Sequence, residues 1–180
     1  MKPVPAALLC ITLSAGANAA PDRSADEIKR GIADAVRRYA NAVACPTVKV
    51  RPEDVLALTP YEGDDRRLSK YAVLWTGDLG CYGGAGSEAT HLAIATINTG
   101  KYVVDPRMSS PVVEFEKPVR VVRRVVSYTD DTLILQGNQH GPQDSQANPS
   151  VPVRFTLKRD DKGSWRLLEK RILPLGTVGG

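Results

Sequence analysis

"HLAIATINTGKYVVDP", residues 91–106, decides how this chain is read. Two apolar runs rich in β-branched residues flank Thr99-Gly100, and a short glycine-containing connection between such runs is a β-hairpin signal. The rhythm continues toward the C-terminus. "VRVVRRVVSY" and "TLILQGNQH" flank a Thr-Asp-Asp turn, and "VPVRFTLKRD" and "SWRLLEKRIL" flank Asp-Lys-Gly. In the last pair Val151, Val153, Phe155 and Leu157 alternate onto one face. The segment 119–128 also fits helical spacing through Val121, Val122, Val125 and Val126, but four β-branched residues so close together favour a strand, with a bulge resetting the alternation.

Toward the N-terminus, "KYAVLWTGDLG" (70–80) alternates Tyr71, Val73 and Trp75 against smaller or polar neighbours, while "TVKV" and "DVLAL" are short apolar pieces broken by Arg51-Pro52. Before them the period changes. Ile28, Ile32, Val36, Tyr39 and Val43 recur at helical spacing within residues 23–44, Ser24 and Glu27 form a capping box, and Cys45-Pro46 ends the run. The opposite face, Lys29, Arg30, Arg37 and Arg38, reads as solvated. The expected class is α+β: an N-terminal amphipathic helix packed on a strongly bent antiparallel β-sheet, a meander of about six to eight strands.

The first 19 residues carry one lysine, an apolar run through Leu13 and small residues closing on Ala17-Asn18-Ala19, the pattern of a secretory signal peptide cut near Ala19. Cys10 follows Leu8 and Leu9 rather than the small residues that lipid attachment requires. Cleavage would leave one α+β domain over 20–180, ending in a loose "LPLGTVGG" tail, in a periplasmic or secreted location and without a transmembrane segment. It would also leave Cys45 and Cys81, 36 positions apart, as an even pair in an oxidising compartment, hence one disulfide. With Lys2 removed, 23 basic side chains face 20 acidic ones. So mild a balance, in short arginine pairs, argues against nucleic-acid binding.

"HGPQDSQANPSVPVRFTLKRDDKGSWRLLEKRIL", residues 140–173, carries Gly141, Pro142, Asp144, Pro149 and Ser150 in a pattern that resembles exported proteins of the LppP/LprE lipoprotein type of actinobacteria. In that pattern a cysteine pair stands where this chain has Ala147 and Asn148. The resemblance covers about a fifth of the chain. It implies an exported domain with no assigned reaction.

"GDLGCYGGAGSEATH" (77–91) concentrates five glycines, Cys81 and His91. It lacks the spacing of either phosphate-binding glycine motif, and its glycines suit the bends of an anchored loop. A Cys81–histidine hydrolase needs a free thiolate, which the disulfide consumes. A triad from Ser87, His91 or His140 and Asp105 or Asp144 lacks a nucleophile elbow. His91, His140, Asp78 and Asp144 could converge on a metal, yet neither histidine has ligand spacing. The aspartate pairs 64–65, 130–131 and 160–161 fall in turns, where aspartate serves local hydrogen bonding rather than glycoside cleavage. No catalytic residue, metal or cofactor is therefore assigned. The long polar loop at 137–152 is the other unusual stretch.

These observations favour a non-catalytic exported binding module, an inhibitor or immunity protein in its sharpest form, that recognises an envelope protein through Tyr82, Glu88, His91, His140 and Asn148. The alternatives are a hydrolase or metal-dependent enzyme using His91 or His140 with a nearby aspartate, and a carrier holding a small ligand between helix and sheet.

Overall fold

The computed structural model describes residues 23–84, 86–145 and 147–174, apart from the side chains of 63–65. The signal-peptide reading of 1–19 and residues 175–180 of the tail lie outside them. The first element of the described residues is helix α1 (Ala25–Val43). The Ser24 side chain accepts the Glu27 amide, satisfying a donor left free in the first turn, and Ala44 is already extended ahead of Cys45-Pro46. Ile28, Ile32 and Val36 are buried as the spacing predicts, joined by Ala33 and Ala40, while Tyr39 is half-buried and donates its hydroxyl to the Ser110 carbonyl at 2.8 Å. Arg37 departs from the solvated face. It pairs with Asp34 and reaches back to the Val50 carbonyl at 2.9 Å.

Eight strands follow among the described residues: β1 (Val55–Thr59), β2 (Lys70–Gly77), β3 (Ala89–Asn98), β4 (Lys101–Asp105), β5 (Val122–Tyr128), β6 (Thr132–Gln139), β7 (Val151–Arg159) and β8 (Trp165–Ile172). All neighbours pair antiparallel, and the sequence order is the spatial order. "TVKV" is not a strand and contributes only a bridge between Lys49 and Thr76. Thr99 and Gly100 both take positive φ, the geometry of a tight hairpin whose twist matches its strands.

The strands form two four-stranded sheets, β1–β4 and β5–β8, and not one bent sheet. The reason lies in β2 and β3, which are buried almost continuously. Tyr71, Val73, Trp75, Ala93, Ala95 and Ile97 pack with the helix. Their neighbours Ala72, Leu74, Leu92 and Ile94 join Leu133, Leu135, Val153, Phe155, Leu157 and Trp165 of the second sheet. A first sheet with apolar side chains on both faces needs a layer on each side, and stacking the second sheet there supplies it. The molecule is thus helix, sheet, sheet.

Residues 106–121 carry the chain between layers along the edge of β3. The Ser110 amide donates to the Leu92 carbonyl and the Thr90 amide to the Arg120 carbonyl, both at 2.8 Å, while the Ser109 hydroxyl accepts the Ile94 amide at 2.9 Å. Buried backbone groups of β3 that β4 does not reach are satisfied this way. At the far edge β5 carries the bulges its sequence suggests: Val122 opposes Gly137 and Arg124 opposes Gln136, which leaves Arg123 as the extra residue.

Candidate functional site

The β2–β3 connection leaves the first sheet at Gly77 and is fixed from within. Asp78 is only 4% exposed; its Oδ1 accepts the Gly80 amide at 3.1 Å and its Oδ2 the Gly83 amide at 3.0 Å. Its carbonyl accepts the Cys45 amide at 3.0 Å, and Cys45 and Cys81 form a disulfide with Cα atoms 5.3 Å apart, as their count predicts. The neighbouring Ser87 hydroxyl, then the Gly83, Gly80 and Cys81 amides, hold the Asp78 carboxyl below its ordinary range. Cys81 itself takes φ +54°, followed by Gly83 at +70° and Gly84 at +89°. A non-glycine residue in the left-handed region is strained by about 1–2 kcal/mol, and the disulfide together with the Asp78 bonds fixes it there. The loop's product is Tyr82, 88% exposed, whose ring lies over Gly80 so closely that a Cβ there would meet it at 2.0 Å.

The other residues singled out from the sequence take different positions. Glu88 is paired with Lys49 at 3.0 Å. His91 sits on the helix-facing side of β3, half-buried, its ring 4.6 Å from that of Trp75 and its Nε2 3.3 Å from the Gly77 carbonyl. Burial, reinforced by the nearby Lys117 ammonium, pushes its pKa down to about 4, so the ring is neutral at pH 7 and a weak base. Lys117, itself partly buried against the Phe115 ring, is lowered to about 8 by desolvation.

His140 and Asn148 belong to the β6–β7 loop, which Asp144 organises. Asp144 Oδ2 accepts the Gly141 amide at 2.7 Å and the Ser150 amide at 2.6 Å, and its Oδ1 accepts the Ser150 hydroxyl at 2.8 Å. Gly141, Asp144 and Ser150 therefore form one hydrogen-bonded unit. Asn148 is exposed and donates to the Ser145 hydroxyl at 3.3 Å, and His140 is exposed at the loop's start. Glu88 from one loop and Ala147 and Pro149 from the other line a common cleft. The two loops thus border one feature, with Glu88 in its wall, Tyr82 displayed from the anchored turn and His91 half-buried beside Trp75.

Among the described residues no three of His, Cys, Asp and Glu converge as a metal site would require. The oxygens of the paper triads are engaged locally: Ser87 donates to the Gly84 carbonyl at 3.0 Å, and Asp105 accepts the Arg107 amide at 3.0 Å. Sequence reasoning overlooked the cleft itself, which residues 49, 51 and 54 line together with residues 120–125 from a distant part of the chain. No helix among the described residues is long and apolar enough to cross a membrane. Comparison with protein-family models, curated proteins and solved structures returned no match for the chain.

Proposed function

We propose that this chain is a non-catalytic, exported binding module that recognises an envelope protein through Tyr82, in the manner of an inhibitor or immunity protein. The observation that carries the reading is a fully displayed aromatic on a loop tied down by a disulfide and a buried aspartate. Pre-ordering removes the entropy cost of fixing the loop on contact, and exposed tyrosines are enriched among residues that dominate interfaces. A disulfide is in keeping with an oxidising compartment, and the Asp144 unit accords with the resemblance to exported LppP/LprE-type proteins.

The test is site-specific photo-crosslinking from position 82 in an envelope preparation. A discrete adduct is expected, and Tyr82→Ala should weaken capture of the same partner by at least about tenfold, a loss of about 1.4 kcal/mol, with an unchanged unfolding midpoint. Replacing Cys45 and Cys81 together by serine should weaken capture with Tyr82 still present. Equal capture by Tyr82→Ala and the parent protein would overturn the reading.

A further inference from the structure

The cleft between the sheets, about 440 Å³ in volume, is lined by every residue from 120 to 125. A strand that turns one face to a cavity contributes alternate residues, so an unbroken run means that the cavity lies along the strand's edge, against its backbone. β5 is an edge strand, paired within its sheet to β6 alone among the described residues. Across the cleft stand residues 49, 51 and 54, with Leu74 of β2.

The edge of β5 is closed at its start and open beyond. The Thr90 amide donates to the Arg120 carbonyl at 2.8 Å, and the Val122 amide donates to the Thr90 hydroxyl at 2.9 Å, pointing away from β6. At the other end of β5 the Thr129 amide donates to the Thr132 carbonyl at 2.8 Å. Hydrogen-bonded and non-bonded pairs alternate along an antiparallel ladder. Counted along β6 from Thr132, Ser127 opposite Ile134 and Arg124 opposite Gln136 bond to β6, whereas Tyr128 opposite Leu133 and Val125 opposite Leu135 turn their backbone groups outward, as Val122 does. Among the described residues no hydrogen bond reaches the outward groups of Val125 and Tyr128.

The two edges of this sheet are finished differently. At β8 the backbone of Trp165 is bonded to that of Glu114 and Glu116, and Lys170, in register with Phe155, sets a charge on the apolar side. A charge placed there blunts an edge against pairing. β5 carries none on that side: its residues in register with Gly137, Leu135 and Leu133 are Val122, Val125 and Tyr128, and Tyr128 is 41% exposed. On the outer side Arg124, in register with Gln136 and Arg154, faces water without an ion-pair partner among the described residues. A strand added at β5 would run about 4.8 Å away. Its side chains on one side would extend the apolar row toward Leu74, and those on the other would lie beside Arg124. A second copy of this chain pairing through β5 would bring its own Arg123 and Arg124 to the same edge, like charge against like, so the edge selects a different partner.

We propose that the open edge of β5 takes up an extended segment of a partner polypeptide as a fifth strand of the second sheet, a segment that alternates apolar side chains facing Leu74 with acidic side chains beside Arg124. In such an addition backbone pairing supplies affinity and the alternating side chains supply specificity. The surface is separate from the Tyr82 loop and does not rest on the reading of that loop.

The experiment follows the fluorescence anisotropy of a labelled, end-capped peptide of sequence TVEVEVT on titration with the purified protein. Saturable binding with a Kd below about 0.1 mM is expected. When the valines face Leu74 their amides face β5, so N-methylation of the valine amides should weaken binding at least about tenfold, and N-methylation of the glutamate amides, which face away, should weaken it less. Arg124→Glu should weaken binding at least about threefold and shift the preference toward TVKVKVT. Tyr82→Ala should leave binding unchanged. Absence of binding by TVEVEVT, equal binding by its valine-methylated form, equal affinity of Arg124→Glu and the parent protein, or a dimer in sedimentation that excludes the peptide would each overturn the proposal, the last by giving the edge to a second copy.

Discussion

The two sheets have the same number of strands and the same up-and-down order, yet their side chains are distributed differently. In the first sheet β2 is buried from Tyr71 through Trp75 and β3 from Leu92 through Ala95, so both faces are core. In the second, Val153, Phe155 and Leu157 point inward while Arg154 and Lys158 face water. Position in the stack, not strand pairing, sets composition: a middle layer needs apolar residues at every position, and an outer layer only at alternate ones. Charged side chains on strands accordingly concentrate on the outer sheet, as at Arg154, Lys158, Arg166 and Lys170.

The comparison breaks most sharply at the middle layer. Leu92→Ala, between the sheets and fully buried, should cost about 2–5 kcal/mol, whereas Leu168→Ala on the outer sheet, 68% exposed, should stay within about 0.5 kcal/mol. Urea unfolding of both variants checks the difference. A smaller effect tests the other face of the middle sheet. Gly31 of α1 lies under the Tyr102 ring of β4, where an added Cβ would fall 2.1 Å from a ring carbon. Gly31→Ala ordinarily gains about 1 kcal/mol in a helix; here the overpacking should reverse the sign and destabilise by about 1–3 kcal/mol. Pairing it with Tyr102→Ala should restore the helical gain relative to Tyr102→Ala alone, as read from thermal midpoints.

Acid should separate the layers more gently. His91, in the middle sheet, is lowered from 6.5 to about 4, so the unfolded chain takes up its proton first. Its contribution to stability is complete above pH 6.5 and is lost as the pH falls toward 4. Asp131, between β5 and β6, is lowered from 3.8 to about 2 by the Lys158, Thr132 and Thr129 hydrogen bonds, so its contribution is complete above pH 3.8 and fades only below that. Unfolding midpoints in urea should therefore decline between pH 6.5 and 4.5, and His91→Phe should flatten that decline without altering the region below pH 3.8.

Much of this arrangement was legible in local sequence. Ile28, Ile32 and Val36 announced the helix, and Thr99-Gly100 and the turns at 129–131 and 161–163 announced the hairpins, because turn chemistry and periodicity act over a few residues. The closely spaced valines at 121, 122, 125 and 126 announced the bulge. The division into two sheets was not legible, since β1–β4 and β5–β8 each read as hairpins and what separates them is a crossover whose bonds come partly from the Ser109 and Ser110 hydroxyls. The burial of His91 was hidden for a similar reason: its surroundings are Trp75 and Lys117, supplied by other segments. The cleft likewise needs residues 49–54 brought against 120–125, a juxtaposition that only the stacking of layers creates.

The two-faced middle sheet also sets a hazard in time. During synthesis residues 25–105 emerge first and hold every element needed to form the helix and the first four strands. The side of that sheet bearing Ala72, Leu74, Leu92 and Ile94 has no cover until the segment from Leu133 to Trp165 follows. Until then the nascent chain carries an apolar surface of the kind that attracts other unfinished chains and the chaperones that shield them.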